Sequence, residues 1–503
     1  MGADAQGLHL GQDSALALNI RARRAGLPRA AAALLALGLA PAPAFAHGFG
    51  RLYTLPVPFW LYAWAAGAAL ILSFLLAAVF ATAPDPARSA PERRLAPPRW
   101  LGPVLRTLSV FALLLCIATG LFGSRDPYHN FSMTFFWVVF LLAGTYLAAL
   151  VGDFYAPLNP WRVMVAMIER LRPGFARGRR AWPEALGDWP ALALYLGFVW
   201  FELFGHGRPL SLGLALLGYT ALNLAAAWWF GAQAWFRHGE FFALFFRLIG
   251  QMAPLTWRGR GGLARRAPGA GLIHERPQHL STVLFVLAML STTAFDGLRA
   301  TQGWVGLVWN DPGGWLSALL GQKPIMIYPK LLPWYFAWES LCLFASPFLY
   351  FAAYGLCLAL ARGLARSTRP LRELALDFAY PLLPIALVYN LSHYATLLLS
   401  QGPKILSLLS DPFGWRWNLF GTEWMFRAPI LPPMSWVWHG QVAVILLGHV
   451  AGIACAHAVA LRVFPTRRVA LASQLPMLAL MVAFTVAGLW ILAQPLTAML
   501  MRG

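Results

Sequence analysis

Charge is what this chain has least of: 12% of its 503 residues are Asp, Glu, Lys or Arg, against 59% hydrophobic. So little polar surface could not cover three or four soluble domains, which excludes a water-soluble enzyme. Cysteine is nearly absent. Cys116, Cys342, Cys357 and Cys455 all lie inside apolar runs and form neither a disulfide framework nor a CxxC metal site, so they read as packing residues. There is no P-loop, no Rossmann glycine pattern, no GxSxG elbow and no HExxH. ATP-driven transport and serine or zinc hydrolysis of the usual kinds are thereby disfavoured.

What the chain does have is 23 Trp, 34 Phe and 14 Tyr spread through long apolar runs, the pattern of a protein with lipid as its main solvent. Ten stretches are long enough to span a bilayer, near 59–81, 104–122, 132–151, 187–204, 210–231, 280–298, 333–360, 373–400, 436–461 and 470–495. They predict an all-α, polytopic transmembrane helix bundle, with residues 47–503 as a single membrane domain. Ahead of it, Arg21, Arg23, Arg24 and Arg29, the apolar run Ala30 to Ala40 and Ala44-Phe45-Ala46 read as a secretory signal peptide with an upstream segment over 1–46. Cleavage after Ala46 would leave His47 as the mature N-terminus outside the cytoplasm; an uncleaved first helix is the alternative.

The net charge of +20, from 39 basic and 19 acidic residues, would suggest nucleic acid as partner in a soluble protein. In a membrane protein it reports topology, and no nucleic-acid partner is expected. With His47 outside, the inner loops hold 24 Lys and Arg and the outer segments 10, as the positive-inside rule requires. The outer loops at about 299–332 and 401–435, rich in Trp, Pro and Gly, read as ordered caps over the bundle. On the inner side, Glu240 to Gln251 is too short to span and is expected to lie in the interface. VGDFYAPLNPWR, from Val151 to Arg162, reads as a structural knot in which Asp153, Asn159 and Arg162 cap helix ends.

Charges within a membrane are costly, about 2.5 to 3.5 kcal/mol each on insertion scales, so their positions carry information. Glu202 and His206 end the fourth span, Asp296 ends the sixth, Glu339 starts the seventh, His393 is near the end of the eighth and His439 starts the ninth. All fall in the outer part of the bilayer. Glu202 and His206 are four apart, on one helix face, as are Tyr389 and His393. As a set they suggest a shared pocket, with Glu202, Asp296 and Glu339 as acid–base groups and His206, His393 and His439 as ligands of a divalent transition metal. The other reading of each group is a side chain reaching the headgroups. His449 and His457 sit deeper in the ninth span, about 80° apart around the helix, and could pair with other helices as ligands of haem. At a mature N-terminus the amine and ring of His47 would chelate one ion together, a geometry suited to copper.

Several segments resemble a family of bacterial polytopic membrane proteins that carry the label fenitrothion hydrolase. They are Ala46-His47-Gly48 with LPVPFWLYAWAA, the VGDFYAPLNPWR block, TTAFDGL (Thr292 to Leu298), YNLSHYATLLL (Tyr389 to Leu399), SDPFGWRWNLFGT (Ser410 to Thr422) and QVAVILLGHVAGIACAH (Gln441 to His457). The resemblance runs from about His47 to His457. The family commonly has histidine where this chain has Asn390, a departure that leaves a second ligand on the eighth span, as the resemblance would imply it, without its histidine here. The label implies hydrolysis of an apolar organophosphorus triester with release of a nitrophenol, in the inner membrane, by this chain alone or as one subunit of a hetero-oligomer. Two other readings stay open: a metal-handling protein in which His47 receives copper and His393, His439 and His449 pass it inward, and a haem or quinone redox subunit.

Overall fold

The computed structural model describes residues 45–46, 53–80, 93–95, 98–205, 207–257, 263–426, 428–430 and 432–494. Apart from Phe45–Ala46, the expected signal segment lies outside the described residues, and so do His47 and His206. The helices that matter here are α1 (Phe59–Phe80), α2 (Leu101–Phe122), α3 (Phe131–Val151), α4 (Pro160–Leu171), α5 (Trp189–Phe204), α6 (Pro209–Phe230), α7 (Phe241–Ile249), α8 (Leu280–Arg299), α9 (Gln302–Trp309), α10 (Tyr328–Leu364), α11 (Leu383–Gln401), α12 (Met434–Val463) and α13 (Arg467–Ala493). Among the described residues nine helices are long and apolar enough to cross a membrane, and the chain is an all-α, multi-pass bundle. The only sheet of more than two strands among them is three short antiparallel strands, in the order Arg93–Leu95, Leu263–Arg265, Leu255–Trp257.

The expected fourth span, α5, has only 16 residues. Its contacts show what it does. The backbone N–H of Asp188, just before α5, donates to Ser281 Oγ at the start of α8 (2.9 Å). At the far end Arg299, the last residue of α8, donates from Nη1 to the carbonyl of Leu203 (3.3 Å). The two helices therefore run side by side in the same direction, and α5 crosses whatever α8 crosses.

Two expectations are corrected. The stretch 373–400 is not one helix: Leu371–Asp377 ends before a 3₁₀ turn at Tyr380–Leu382, and α11 begins only at Leu383. Pro381 and Pro384 explain the break, because each lacks a backbone N–H and restricts the residue before it. Asp377 is held outside α11 by Arg276 (3.1 Å) and Arg369 (2.9 Å). The second correction concerns α7, which does not lie on a lipid interface. All of its residues except Arg247 are buried, packed among aromatic rings of neighbouring elements: Phe140 to Phe242 (5.2 Å), Phe198 to Phe241 (5.1 Å) and Tyr155 to Phe246 (5.0 Å) between centroids. Its sequence is apolar nearly all round, the mark of a core helix rather than a surface one.

A buried helix must have its free N–H groups satisfied within the protein. Glu240 does this for α7, accepting hydrogen bonds from the backbone of Phe242 (3.1 Å) and Ala243 (2.8 Å), Tyr219 Oη (2.6 Å) and Asn159 Nδ2 (3.0 Å). Burial nonetheless pushes the Glu240 carboxyl up to about 7. Asn159 in turn caps α4 by accepting from the Arg162 N–H (3.0 Å), and Asp153 caps the turn at Ala156 (3.0 Å), so the VGDFYAPLNPWR block is the structural knot its sequence predicts.

Two predictions follow from this packing. α2 and α6 meet backbone to backbone at Gly120 and Gly213, where a Cβ on Gly120 would lie 2.8 Å from Gly213 Cα and from Pro209 O. Gly120→Leu should therefore force the helices apart and cost about 1–3 kcal/mol, read as a lowered unfolding temperature in detergent. Asp188 accepts from His238 Nδ1 (2.7 Å) and Thr282 Oγ1 (2.5 Å). Burial acts to raise its carboxyl, but these hydrogen bonds and the charge of Arg247 outweigh burial and hold it below its ordinary value. The native carboxyl thus releases its proton more readily than the unfolded one. Its stabilisation is present at neutral pH and is lost as pH falls below about 4, through the lowered native value, so thermal melts in that acid range should show a decline that Asp188→Asn flattens.

Candidate functional site

The candidate site is assembled from helix ends at one end of the bundle. α8 finishes in TTAFDGLR, which places Asp296 and Arg299 three residues apart at its last turn. α11 brings His393 and Tyr394, α5 brings Glu202 and α10 brings Glu339. Gly297 allows this convergence: a Cβ there would lie 2.7 Å from Ile491 Cγ2 on α13 and 3.8 Å from the His393 ring.

Asp296 is the centre. Its Oδ2 accepts from His393 Nε2 (2.9 Å) and from Tyr394 Oη (3.0 Å). Glu202 on α5 stands close enough to this group to feel the charge of Asp296 and the hydroxyl of Tyr394. Although embedded among helices, the side chains of Asp296 and His393 retain 21% and 20% of their accessible surface, so the pair is partly exposed rather than sealed in the core. With Nε2 directed at Asp296, Nδ1 of His393 is left to take a proton.

Arg299 leaves the same turn of α8 in another direction. Its Nη2 lies 3.1 Å from Glu339 Oε2, and its guanidinium sits 4.5 Å from the centroid of the Phe204 ring. Glu339 is 2% exposed, and its Oε1 also accepts from Trp304 Nε1 (3.2 Å) on α9 and Tyr335 Oη (3.0 Å). This carboxylate has its partners already, and its geometry is that of a neutralised ion pair locking α8, α9 and α10 together.

The other expected residues disperse. His439 is exposed, its Nδ1 2.7 Å from Ser435 O and its Nε2 3.4 Å from Tyr62 Oη on α1. His449 is buried, with Nδ1 2.8 Å from Ile445 O and its ring 5.9 Å from that of Tyr389. It borders an apolar cavity of about 80 Å³ whose walls include Leu290, Tyr350 and Phe484. His457 pairs with Gln474 (3.3 Å). Among the described residues no three His, Cys, Asp or Glu are grouped to hold a metal ion. The remaining polar groups of YNLSHY turn to other helices: Tyr389 Oη donates to Phe484 O (2.7 Å), and Asn390 Oδ1 accepts from Tyr146 Oη (3.1 Å).

Three expected groups, Glu202, Asp296 and His393, therefore converge, and Glu339 joins them through Arg299. Tyr394 and Arg299 were missed by sequence reasoning. Their signals were present: Tyr394 adjoins His393, and Arg299 lies one helical turn after Asp296, where a cation at a span end reads equally as topology. Comparisons with family models, curated proteins and solved structures found no match.

Removing the charge of Glu339 should be a stability change. Glu339→Gln leaves Arg299 only partly compensated by Asp296 and should cost ~3 kcal/mol, the low end for breaking a buried pair, seen as a large fall in unfolding temperature. Tyr394→Phe, which removes one hydroxyl from a partly exposed cluster, should cost about 1 kcal/mol.

Proposed function

We propose that this chain is an integral membrane hydrolase, or the hydrolytic subunit of a larger assembly, that cleaves apolar organophosphorus triesters at the Asp296–His393 recess, on the periplasmic side of a bacterial inner membrane. The observation that carries the reading is a carboxylate–imidazole pair, partly accessible, beside a second carboxyl and a phenol in a lipid-embedded protein. The distribution of basic residues supports the outward orientation, and the resemblance of TTAFDGL and YNLSHYATLLL supports the substrate class.

In this mechanism Nδ1 of His393 accepts a proton from water while the water oxygen bonds to phosphorus. The P–O bond to the aryl group breaks, and the nitrophenol leaves as its phenolate, which needs no acid at neutral pH. Asp296 holds the ring through Nε2 and stabilises the imidazolium that forms. Glu202, linked through Tyr394, then receives or returns the proton. A neutral, apolar triester partitions into the bilayer and reaches the recess laterally, which is why a hydrolase for such a substrate gains from being built of membrane helices.

Purified protein in vesicles should release nitrophenol from fenitrothion. His393→Ala and Asp296→Asn should each lower kcat/KM by about 10²–10⁴-fold with folding retained, while His439→Ala, on the far side of α12, leaves it unchanged. Undiminished turnover in the first two variants, or no turnover by the wild-type protein, would overturn the reading.

A further inference from the structure

At the end of the bundle opposite the Asp296–His393 pair, α4, the turn that follows it and the end of α6 surround a groove. Between them lies a laterally open groove of about 570 Å³, within the range of small-molecule sites. Its walls are Ile168, Leu171 and Phe175 on one side and Leu224, Ala225 and Trp228 on the other, and Arg172 stands at its edge. The guanidinium of Arg179 covers the Trp228 ring at 4.2 Å, which puts a second cation on the same rim.

The segment bearing these cations is fixed in place. The backbone N–H groups of Arg179 and Arg180 both donate to Trp229 O (2.8 and 2.9 Å), tying the loop to the last turn of α6. Gly178, at φ +82°, approaches Gly231 so closely that a Cβ would lie 2.4 Å from its nitrogen. Glu169, the acid nearest in sequence, is used up in accepting from Gly174 N (2.9 Å) and Ala176 N (2.6 Å). Arg170, Arg172, Arg177, Arg179 and Arg180 are all exposed, and none forms an ion pair among the described residues.

We infer that this groove binds an anionic phospholipid, its acyl chain against Leu171, Phe175 and Leu224 and its phosphate held by Arg172 and Arg179. An apolar slot open to the bilayer with unpaired guanidiniums at its rim fits such a ligand on both counts, since guanidinium meets phosphate in bidentate geometry and the slot supplies no acid to compete. A zwitterionic lipid would fill the slot equally well, but its own ammonium would face the cationic rim.

The test uses the full-length protein in detergent. Added phosphatidylglycerol should raise the unfolding temperature by about 5 °C, phosphatidylcholine at the same mole fraction should not, and inorganic phosphate alone should not. The double variant Arg172→Gln/Arg179→Gln should lose most of that rise. Should the double variant fail to fold, photoactivatable phosphatidylglycerol on the wild-type protein decides, since cross-links should map to 168–180 and 224–228. Equal response to phosphatidylcholine, full response to free phosphate, an undiminished response in the double variant, or cross-links confined to other helices would each overturn the assignment.

Discussion

Asp296 and Arg299 leave one turn of α8 in two directions, and one end of the bundle is organised by that divergence. The carboxylate reaches α11 and meets His393 and Tyr394; the guanidinium reaches α10 and meets Glu339. In hydrocarbon neither charge would be tolerated alone. Because each finds its partner on a different helix, satisfying the charges also fixes where α10 and α11 stand relative to α8. The specificity of the helix arrangement arises here from the same two side chains.

Two carboxyls with opposite fates show what separates structure from chemistry. Glu240 is fully buried, and four donors from α7, Tyr219 and Asn159 fill its lone pairs, so nothing is left for a substrate. Asp296 has two donors on a single oxygen and is partly open. A carboxyl with every acceptor position filled and no exposure is a cap; one with an imidazole and a phenol on a single oxygen and part of its surface free keeps an acceptor unspent.

Much of the architecture was legible because a bilayer imposes length. The apolar runs locate α1, α2, α3, α6, α8, α10, α12 and α13 to within a few residues, and the Asp311-Pro312 and Asp411-Pro412 punctuation does mark ordered turns, with Asp311 accepting from Ser317 N and Asp411 from Arg416 N. Depth was legible as well, since Glu202, Asp296 and His393 do share one end of the bundle. Lateral position was not. Periodicity gives the side of a helix on which a residue lies but not which neighbour occupies that side, so His439 reads much like His393 although the first faces Tyr62 and the second Asp296. α7 was misplaced for a related reason: a nine-residue run with one arginine looks interfacial until the surrounding rings that bury it are known.

The brevity of α5 has a bearing on the membrane itself. Sixteen residues rise about 24 Å, several ångströms less than a typical hydrocarbon core of about 30 Å, while Glu202 sits two residues from its end. Lipids around α5 must tilt, compress or admit headgroups to match it. A bilayer thinned around α5 would bring headgroups and water closer to that end of the bundle than the neighbouring, longer helices alone would allow.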